Sequence, residues 1–181
     1  EKVRTRGLEL EASYLIPNLL RLNGTINYTD GKYVKFKNAP LPLEETGKNI
    51  NGQQVAFIDI SGGQLPGISE WALSTGMEFF NKGTLLGQEG EYFLGGDFFY
   101  RSSFSSSPSP SAYLNIDGYT LTNARLGYRT PKGITIYAWC KNLTDTEYFE
   151  QLLTAAGNAG HYAAILGDER TFGITIRYNF F

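Results

Sequence analysis

The chain has 181 residues and a formal net charge of −2, and this near balance of charge excludes the basic field that nucleic-acid binding requires. Cys140 and His161 are the only residues of their types, which excludes an internal disulfide and a metal site built from several cysteines or histidines. With 21 glycines, twelve tyrosines and twelve phenylalanines, the composition favours strands and turns.

The first two predicted elements are strands joined by a short turn. Apolar residues occupy the even positions from Leu8 to Ile16 and again from Leu20 to Tyr28, while the odd positions are mostly polar. An α-helix cannot place such a set on one face, whereas a β-strand does, because its side chains alternate between two faces. We therefore predict strands over 8–16 and 20–29.

Five further strands follow the same alternation. They are predicted over residues 69–80, 91–101, 118–130, 133–141 and 172–180. The phase of the alternation slips near Thr122 and Asn123, which predicts a β-bulge. No segment has a strong helical pattern, and the one expected helical element is a short turn over Tyr148–Ala156 within a loop.

The connections between these strands alternate in length. Short ones occupy 17–19, 81–90 and 130–133, and long ones occupy 30–67, 102–117 and 142–167. This alternation predicts an all-β, antiparallel up-and-down meander of about seven strands, plain at one end and elaborated at the other. Outer-membrane barrels have this asymmetry, with short periplasmic turns and long extracellular loops.

Two further features favour a transmembrane β-barrel. Several alternating runs reach the length of about 9–11 residues that a strand needs to cross a membrane. Aromatic residues cluster near the strand ends, as in the two aromatic girdles of a barrel. The apolar face is then predicted to contact lipid and the polar face a wet lumen, while no apolar run is long enough for a transmembrane helix.

Alternatives remain open at this point. A small complete barrel of the porin type requires an even number of strands in this chain. A soluble all-β carbohydrate-binding module requires Phe180 and Phe181 to be buried against a second sheet. An enzyme is not expected: Glu9 and Glu11 are an ordinary pair on one strand face, and the serines at 105–107 lack the Gly-x-Ser-x-Gly elbow of hydrolases.

Three stretches resemble the TonB-dependent outer-membrane transporters. The chain ends on an amphipathic strand similar to the signal by which outer-membrane barrels are recognised for insertion, although one Phe follows the usual Tyr-x-Phe ending. Residues 141–148 (KNLTDTEY) resemble the N-L-[FT]-D-x-x-Y stretch of this family, and residues 4–11 (RTRGLELE) resemble its R-x-x-G-x-E strand. The insertion signal comprises Phe172, Ile174, Ile176, Tyr178, Phe180 and Phe181.

The resemblance implies that residues 1–181 are the C-terminal part of a 22-stranded barrel, without its N-terminal plug. It implies location in the outer membrane of a Gram-negative cell, in contact with outer-membrane lipid and after insertion by the barrel-assembly machinery. It also implies TonB-dependent uptake of a scarce small-molecule nutrient, with a ferric siderophore or similar metal chelate as the expected cargo. The energy-transducing complex is expected to act through the N-terminal part, and no cofactor, resident metal or catalytic residue is expected.

Substrate contacts in this family come partly from the extracellular loops. The resemblance therefore directs attention to polar and charged residues in the predicted long connections. The candidates for substrate binding are Tyr33, Lys35, Lys37 and His161.

Overall fold

Seven antiparallel strands form one large sheet in the computed structural model, which describes residues 1–50, 52–155, 157 and 160–180. Each strand pairs with its neighbours in the chain, so the predicted up-and-down meander is confirmed. The strands are β1 (Lys2–Ile16), β2 (Leu20–Lys35), β3 (Trp71–Leu85), β4 (Gln88–Arg101), β5 (Tyr119–Arg129), β6 (Ile134–Lys141) and β7 (Thr171–Tyr178).

The register of the sheet joins apolar residues to apolar residues across every pairing. Because directly paired residues point to the same face, the alternation within each strand adds up to one continuous apolar face and one polar face. The apolar side chains stay open to the surroundings: Leu8 is 74% exposed and Ile174 is 76% exposed. Examples of these pairs are Leu10 with Ile26, Leu22 with Met77, Phe79 with Leu94, and Ile136 with Ile176.

Aromatic pairs mark both ends of the apolar face. Tyr28 and Trp71, on β2 and β3, have ring centroids 4.9 Å apart near the end that carries the long connections. Tyr92 and Tyr128, on β4 and β5, have centroids 4.8 Å apart near the end that carries the short turns. The apolar face is therefore bounded on two sides by rings with polar tips.

Two glycines of the sheet lie directly beneath these rings. A Cβ atom placed on Gly83 would lie 2.6 Å from Cε2 of Tyr92, and one placed on Gly90 would lie 2.6 Å from the hydroxyl oxygen of Tyr128. Gly83 and Gly90 are paired across β3 and β4. Each ring therefore occupies the space that a side chain would otherwise fill on the neighbouring strand.

The second short connection is tighter than the sequence predicts, whereas those over 17–19 and 130–133 lie where they are predicted. β3 continues to Leu85 and β4 begins at Gln88, so the predicted connection over 81–90 is wrong. Leu86 and Gly87 have φ angles of 50° and 76°, as a type I′ hairpin turn requires at its two central residues. Gly87 adopts this conformation without the steric penalty of a Cβ atom.

The long connections span 36–70, 102–118 and 142–170, because β2 extends to Lys35 and β7 begins only at Thr171. The expected helical turn over Tyr148–Ala156 is wrong, since Phe149–Thr154 is a strand paired with Tyr162–Leu166; residue 156 itself lies outside the described residues. The other elements are the strand pairs Ala39–Pro40 with Phe57–Ile58, Asn49–Ile50 with Gln53–Gln54, and Phe104–Ser105 with Asn115–Ile116, and the 3₁₀ turns Leu43–Glu45 and Ala112–Leu114.

The predicted bulge in β5 is also wrong. β5 keeps an unbroken register with β4 from Tyr119 to Arg129. The phase slip has another cause: Tyr119 lies on the polar face but stacks on Tyr148 of the third long connection, with ring centroids 4.5 Å apart. The polar face is covered by protein at this end, so it accepts apolar residues there.

Buried apolar side chains occur mainly outside the centre of the sheet. Ala39, Phe104, Leu114 and Ile116 belong to the long connections. Phe180 is 88% exposed, which contradicts the soluble sandwich alternative, while Phe181 lies outside the described residues. Among the described residues there is no helix long and apolar enough to span a membrane.

Candidate functional site

The first long connection folds back onto the end of β2. The backbone N–H of Tyr33 donates to the carbonyl of Gly63 over 2.9 Å, and the N–H of Leu65 donates to the carbonyl of Gly31 over 2.9 Å. Gly31 matters for this contact, because a Cβ there would lie 2.7 Å from Cδ1 of Ile68. The connection is thus laid over the strand end rather than extended away from it.

Arg101, the last residue of β4, joins the first connection to the second. Its Nε donates to Oγ of Ser69 and its Nη2 donates to the carbonyl of Gly67, both over 2.6 Å. The guanidinium carbon also lies 3.6 Å from the centroid of the Phe104 ring, a cation–π contact. In addition, Gly67 N–H donates to the carbonyl of Ser105 over 2.7 Å.

Ser106 joins the second connection to the third. Its hydroxyl donates to the carbonyl of Leu152 over 2.5 Å and accepts from the N–H of the same residue over 3.2 Å. One small side chain therefore satisfies both backbone groups of Leu152, which lies on the Phe149–Thr154 strand. The two connections are held together at a defined register.

A polar contact joins the third long connection to the first, so that each of the three long connections contacts the other two. The hydroxyl of Tyr162 donates to Oε2 of Glu44, whose Oε1 accepts from the N–H of Ala112 over 3.0 Å. Ser111 Oγ lies 3.4 Å from the Tyr162 hydroxyl. Together with the Arg101 and Ser106 contacts, these bonds join the described parts of residues 36–70, 102–118 and 142–170, and we call these parts together the loop cluster.

These contacts shift the ionisation of both groups. Burial raises the pKa of Glu44, but the hydrogen bonds from Tyr162, Ser111 and Ala112 outweigh it, so the pKa of Glu44 is lower than its ordinary value of 4.5. The pKa of Tyr162 is raised above 10.0, chiefly because its hydroxyl donates to the Glu44 carboxylate. At neutral pH Glu44 is therefore ionised, and its carboxylate accepts the hydrogen bond from the neutral Tyr162 hydroxyl.

Asn142 builds the turn by which the chain leaves β6. It is buried with a φ of 48°, in the left-handed region that Asn tolerates better than most residues. Its Nδ2 donates to the carbonyls of Thr146 (2.9 Å) and Asp168 (3.1 Å), and its Oδ1 accepts from the N–H of Thr146 (2.9 Å). Its own N–H donates to Oδ1 of Asn123 on β5 over 3.0 Å. The Asn142 side chain thus joins the two ends of the third connection to each other, and its backbone N–H joins them to the sheet.

The loop cluster borders a small, half-open polar cavity of about 190 Å³. Hydroxyl and amide side chains contribute to its walls, and two prolines stiffen one side. Such a lining donates and accepts hydrogen bonds and carries no buried charge of its own. The lining includes Tyr33, Gln64, Ser107, Ser109, Ser111 and Asn115.

A second polar feature lies on the polar face of the sheet itself. Glu78 is buried and contacts Arg129 at 3.0 Å and both Arg21 and Arg125 at 3.3 Å. Arg125 also pairs with Asp97 at 2.7 Å. We call this set, with Glu91 as a further partner of Arg129, the ion network of the polar face. It spans β2 to β5 and fixes the charged side chains against the sheet.

The structure does not bring the four predicted substrate-binding residues to one place. Tyr33 is buried and lines the polar cavity of the loop cluster. Lys35 ends β2 and pairs with Lys2, where the β1–β2 register shifts. Lys37 is exposed beside Asp59, whose pKa is lowered first by hydrogen bonds from Ser61 and also by the Lys37 charge. His161 is exposed where the Tyr162–Leu166 strand begins.

Sequence reasoning missed the residues that hold the loop cluster together. Glu44, Ser106 and Tyr162 carry no local signal, because their partners lie far away along the chain. Asn142 was within a motif quoted from the sequence, yet its structural role is visible only in the contacts. Among the described residues there is no group of three or more His, Cys, Asp or Glu side chains that fits a metal ion.

The predicted insertion signal keeps its alternation in β7. Phe172, Ile174, Ile176 and Tyr178 lie on the apolar face, because they pair with even-numbered residues of β6. Tyr178 packs edge-on against Phe180, with ring centroids 4.6 Å apart.

Comparison with known proteins gives two findings. The family described as TonB dependent receptor-like, beta-barrel matches residues 1–143. The crystal structure of the ferric yersiniabactin uptake receptor FyuA from Yersinia pestis superposes with a TM-score of 0.73 at 15% identity. That match covers 99% of this chain and 24% of FyuA, so the chain spans about a quarter of the length of that receptor. No curated protein matches the sequence.

Proposed function

This chain belongs to the TonB-dependent receptor-like β-barrel family, and from that premise we propose that it forms barrel wall and extracellular loops of an outer-membrane importer. The importer takes up a scarce nutrient at the expense of energy delivered by a TonB-type complex. The chain is proposed to span the membrane several times with its strands, and to carry out no catalytic step.

The observation that carries this proposal is that the sheet has one apolar and one polar face, and that all three long connections lie at the same end of it. The apolar face runs along β2 from Leu20 to Tyr28, about 27 Å at roughly 3.4 Å per residue. Strands of outer-membrane barrels are tilted by about 35–45°, so this length spans about 21 Å along the membrane normal, which is close to the height of their apolar band, about 25 Å. The apolar face then contacts lipid, the polar face lines the lumen, and the loop cluster lies on the extracellular side.

The proposed cargo is a ferric siderophore or a similar metal chelate. FyuA, which has the same fold, is named for uptake of ferric yersiniabactin. The loop cluster offers hydroxyl groups at its cavity and exposed lysines beside it, which suit the oxygen-rich and often anionic surface of such a chelate. Tyr33, Lys35, Lys37 and His161 are proposed as contact residues.

The remaining partners are proposed for the whole protein. The energy-transducing complex is expected to act through the N-terminal part, so no residue of this chain is assigned to energy coupling. The barrel-assembly machinery is proposed to recognise the strand from Phe172 to Tyr178, because every second residue of this strand is apolar and the strand ends on an aromatic residue.

The test is uptake of radioactive iron by a Gram-negative host that lacks its own ferric-chelate receptors and expresses the full protein that contains this chain. We expect outer-membrane location and uptake of a ferric siderophore such as ferric yersiniabactin, and we expect uptake to stop when the host lacks its TonB-type protein. Uptake that persists without that protein would indicate a porin-like channel and overturn active import. Uptake of another nutrient class but of no ferric chelate would overturn the proposed cargo alone.

A further inference from the structure

Three cations surround one buried carboxylate on the outer side of the sheet. Asp30 Oδ2 accepts from Nε of Arg6 over 3.0 Å and from Nη2 of Arg4 over 3.3 Å, while Nζ of Lys32 lies 3.0 Å from Oδ1. The Asp30 side chain is 3% exposed, so the cations enclose it. We call these four residues the Asp30 cluster.

The position of the cluster is set by the register of β1 and β2. Arg6 pairs with Asp30, Leu8 pairs with Tyr28, and the pairing continues without a break between them. Because side chains alternate along a strand, the cluster lies on the same face as Leu8 and Tyr28. It is two residues, or about 7 Å, beyond them toward the long connections. The cluster therefore begins where the apolar, lipid-facing surface ends.

The charges of the cluster are not balanced. Three positive groups meet one negative group in this cluster, whereas in the ion network of the polar face three carboxylates share their contacts with three arginines. An arginine has five N–H donors, and Arg4 and Arg6 each give one of them to Asp30. The remaining donors are accessible, because the side chains of Arg4 and Arg6 are 48% and 68% exposed.

We propose that the Asp30 cluster binds the phosphate group of a lipid headgroup in the outer leaflet. Guanidinium groups bind phosphate oxygens through charge-assisted and often bidentate hydrogen bonds, and basic groups beside a membrane attract anionic lipids. Asp30 orients the cations, since its carboxylate holds all three on one side of the sheet. This inference relies on the membrane orientation proposed above and adds a lipid ligand outside the substrate path.

The experiment measures lipid binding to the purified full-length protein in detergent by native mass spectrometry. The probes are lipid A with both phosphates, the same lipid with its phosphates removed, and inorganic phosphate. The variant Arg4→Gln/Arg6→Gln removes two positive charges from the cluster. The matched control, Lys48→Gln/Lys132→Gln, removes two positive charges from exposed positions outside the cluster. Lys32→Gln is a milder variant that leaves both arginines on Asp30.

We expect phosphorylated lipid A to bind at least tenfold more weakly to the double-arginine variant and severalfold more weakly to Lys32→Gln, with the control unchanged. Equal binding of the dephosphorylated lipid, or unchanged binding to both cluster variants, would overturn the proposal. Occupation by inorganic phosphate at the same concentration would assign the site to a soluble anion instead and also overturn it. Nutrient uptake is not measured here, so failure of the lipid site leaves the transport proposal to its own test.

Discussion

Replacement of Asn142 by Ala should loosen the third long connection without unfolding the barrel wall. Asn142 makes three side-chain hydrogen bonds, two of them to Thr146 and one to Asp168, which stand at the two ends of that connection. Alanine removes all three bonds and leaves two carbonyl groups and one N–H without their partner. It also has to adopt the left-handed conformation that Asn142 occupies at a φ of 48°.

The magnitude follows from these terms. Three neutral hydrogen bonds contribute about 1 kcal/mol each, and the left-handed conformation costs alanine about 1 kcal/mol more. Water recovers part of the loss, since the connection lies outside the membrane. The expected loss is about 3 kcal/mol of local stability, which corresponds to a change of roughly a hundredfold in the equilibrium between the folded and the locally opened third connection.

Hydrogen exchange followed by mass spectrometry, on the full protein in detergent, measures this equilibrium segment by segment. Peptides from 143–170 should exchange roughly a hundredfold faster in Asn142→Ala, while peptides from β3 and β4 should not change. Asn18→Ala is the matched control, because Asn18 also has a positive φ (58°) but is exposed in a short turn. The reasoning would be refuted if Asn142→Ala sped up hydrogen exchange in peptides from 143–170 no more than Asn18→Ala speeds it up in peptides that contain residues 17–19.

Three other perturbations test different parts of the structure. Tyr162→Phe removes the donor to Glu44 and should speed proteolysis of the loop cluster at pH 7. In the unmodified protein the same loosening should appear only as the pH falls below 4.5. Folding lowers the pKa of Glu44, so the Glu44 carboxylate stabilises the folded loop cluster fully above its ordinary pKa of 4.5. This stabilisation is lost as the pH falls through the lowered pKa. Glu78→Gln should lower the free energy of unfolding by about 2 kcal/mol in a urea titration, since it weakens three partly exposed ion pairs around a buried carboxylate. Ile174→Lys places a charge on the lipid-facing side and should cost about 2–4 kcal/mol, seen as reduced folded protein in outer membranes.

Each of these three predictions has a control on a comparable residue. Tyr113→Phe tests whether loss of any exposed tyrosine hydroxyl in the loop cluster has the same effect. Glu89→Gln removes an exposed carboxylate from the same region of the polar face. Thr25→Lys places the same cation on the lumen side, opposite Glu11, and should be tolerated. If any variant and its control behave alike, the proposed contact or face is not the cause.

The sequence predicts the strands well because an apolar side chain recurs at every second residue on the face that is proposed to contact lipid. The alternation from Leu8 to Ile16 needs no knowledge of distant residues, and it led directly to the correct pairing of faces. Strand ends were less predictable. β3 and β4 extend beyond the apolar surface as a polar hairpin, where hydrogen bonding of the backbone, rather than the side-chain pattern, maintains the strands as far as Leu85 and Gln88.

The loop cluster could not be predicted in the same way. Tyr162 and Glu44 are 118 residues apart, and neither belongs to a periodic pattern. The sequence predicts a helical turn where the strand Phe149–Thr154 lies, because the partner of that strand, Tyr162–Leu166, lies across a hairpin and carries no alternation of its own. The candidate contact residues were chosen by type and by resemblance, and of these the structure places Tyr33 in a cavity, while their role in binding stays a prediction.

The tyrosine rings that lie over Gly83 and Gly90 make those positions interdependent. Enlargement of either glycine displaces a ring, and loss of either ring uncovers the glycine backbone beneath it, where an unfilled gap forfeits packing contacts. A substitution at one partner is therefore best tolerated together with a compensating change at the other. In homologous barrels this predicts covariation of the two positions, with a smaller residue beneath a larger one on the adjacent strand, and a double-mutant cycle on Gly83 and Tyr92 should give a coupling energy well above zero.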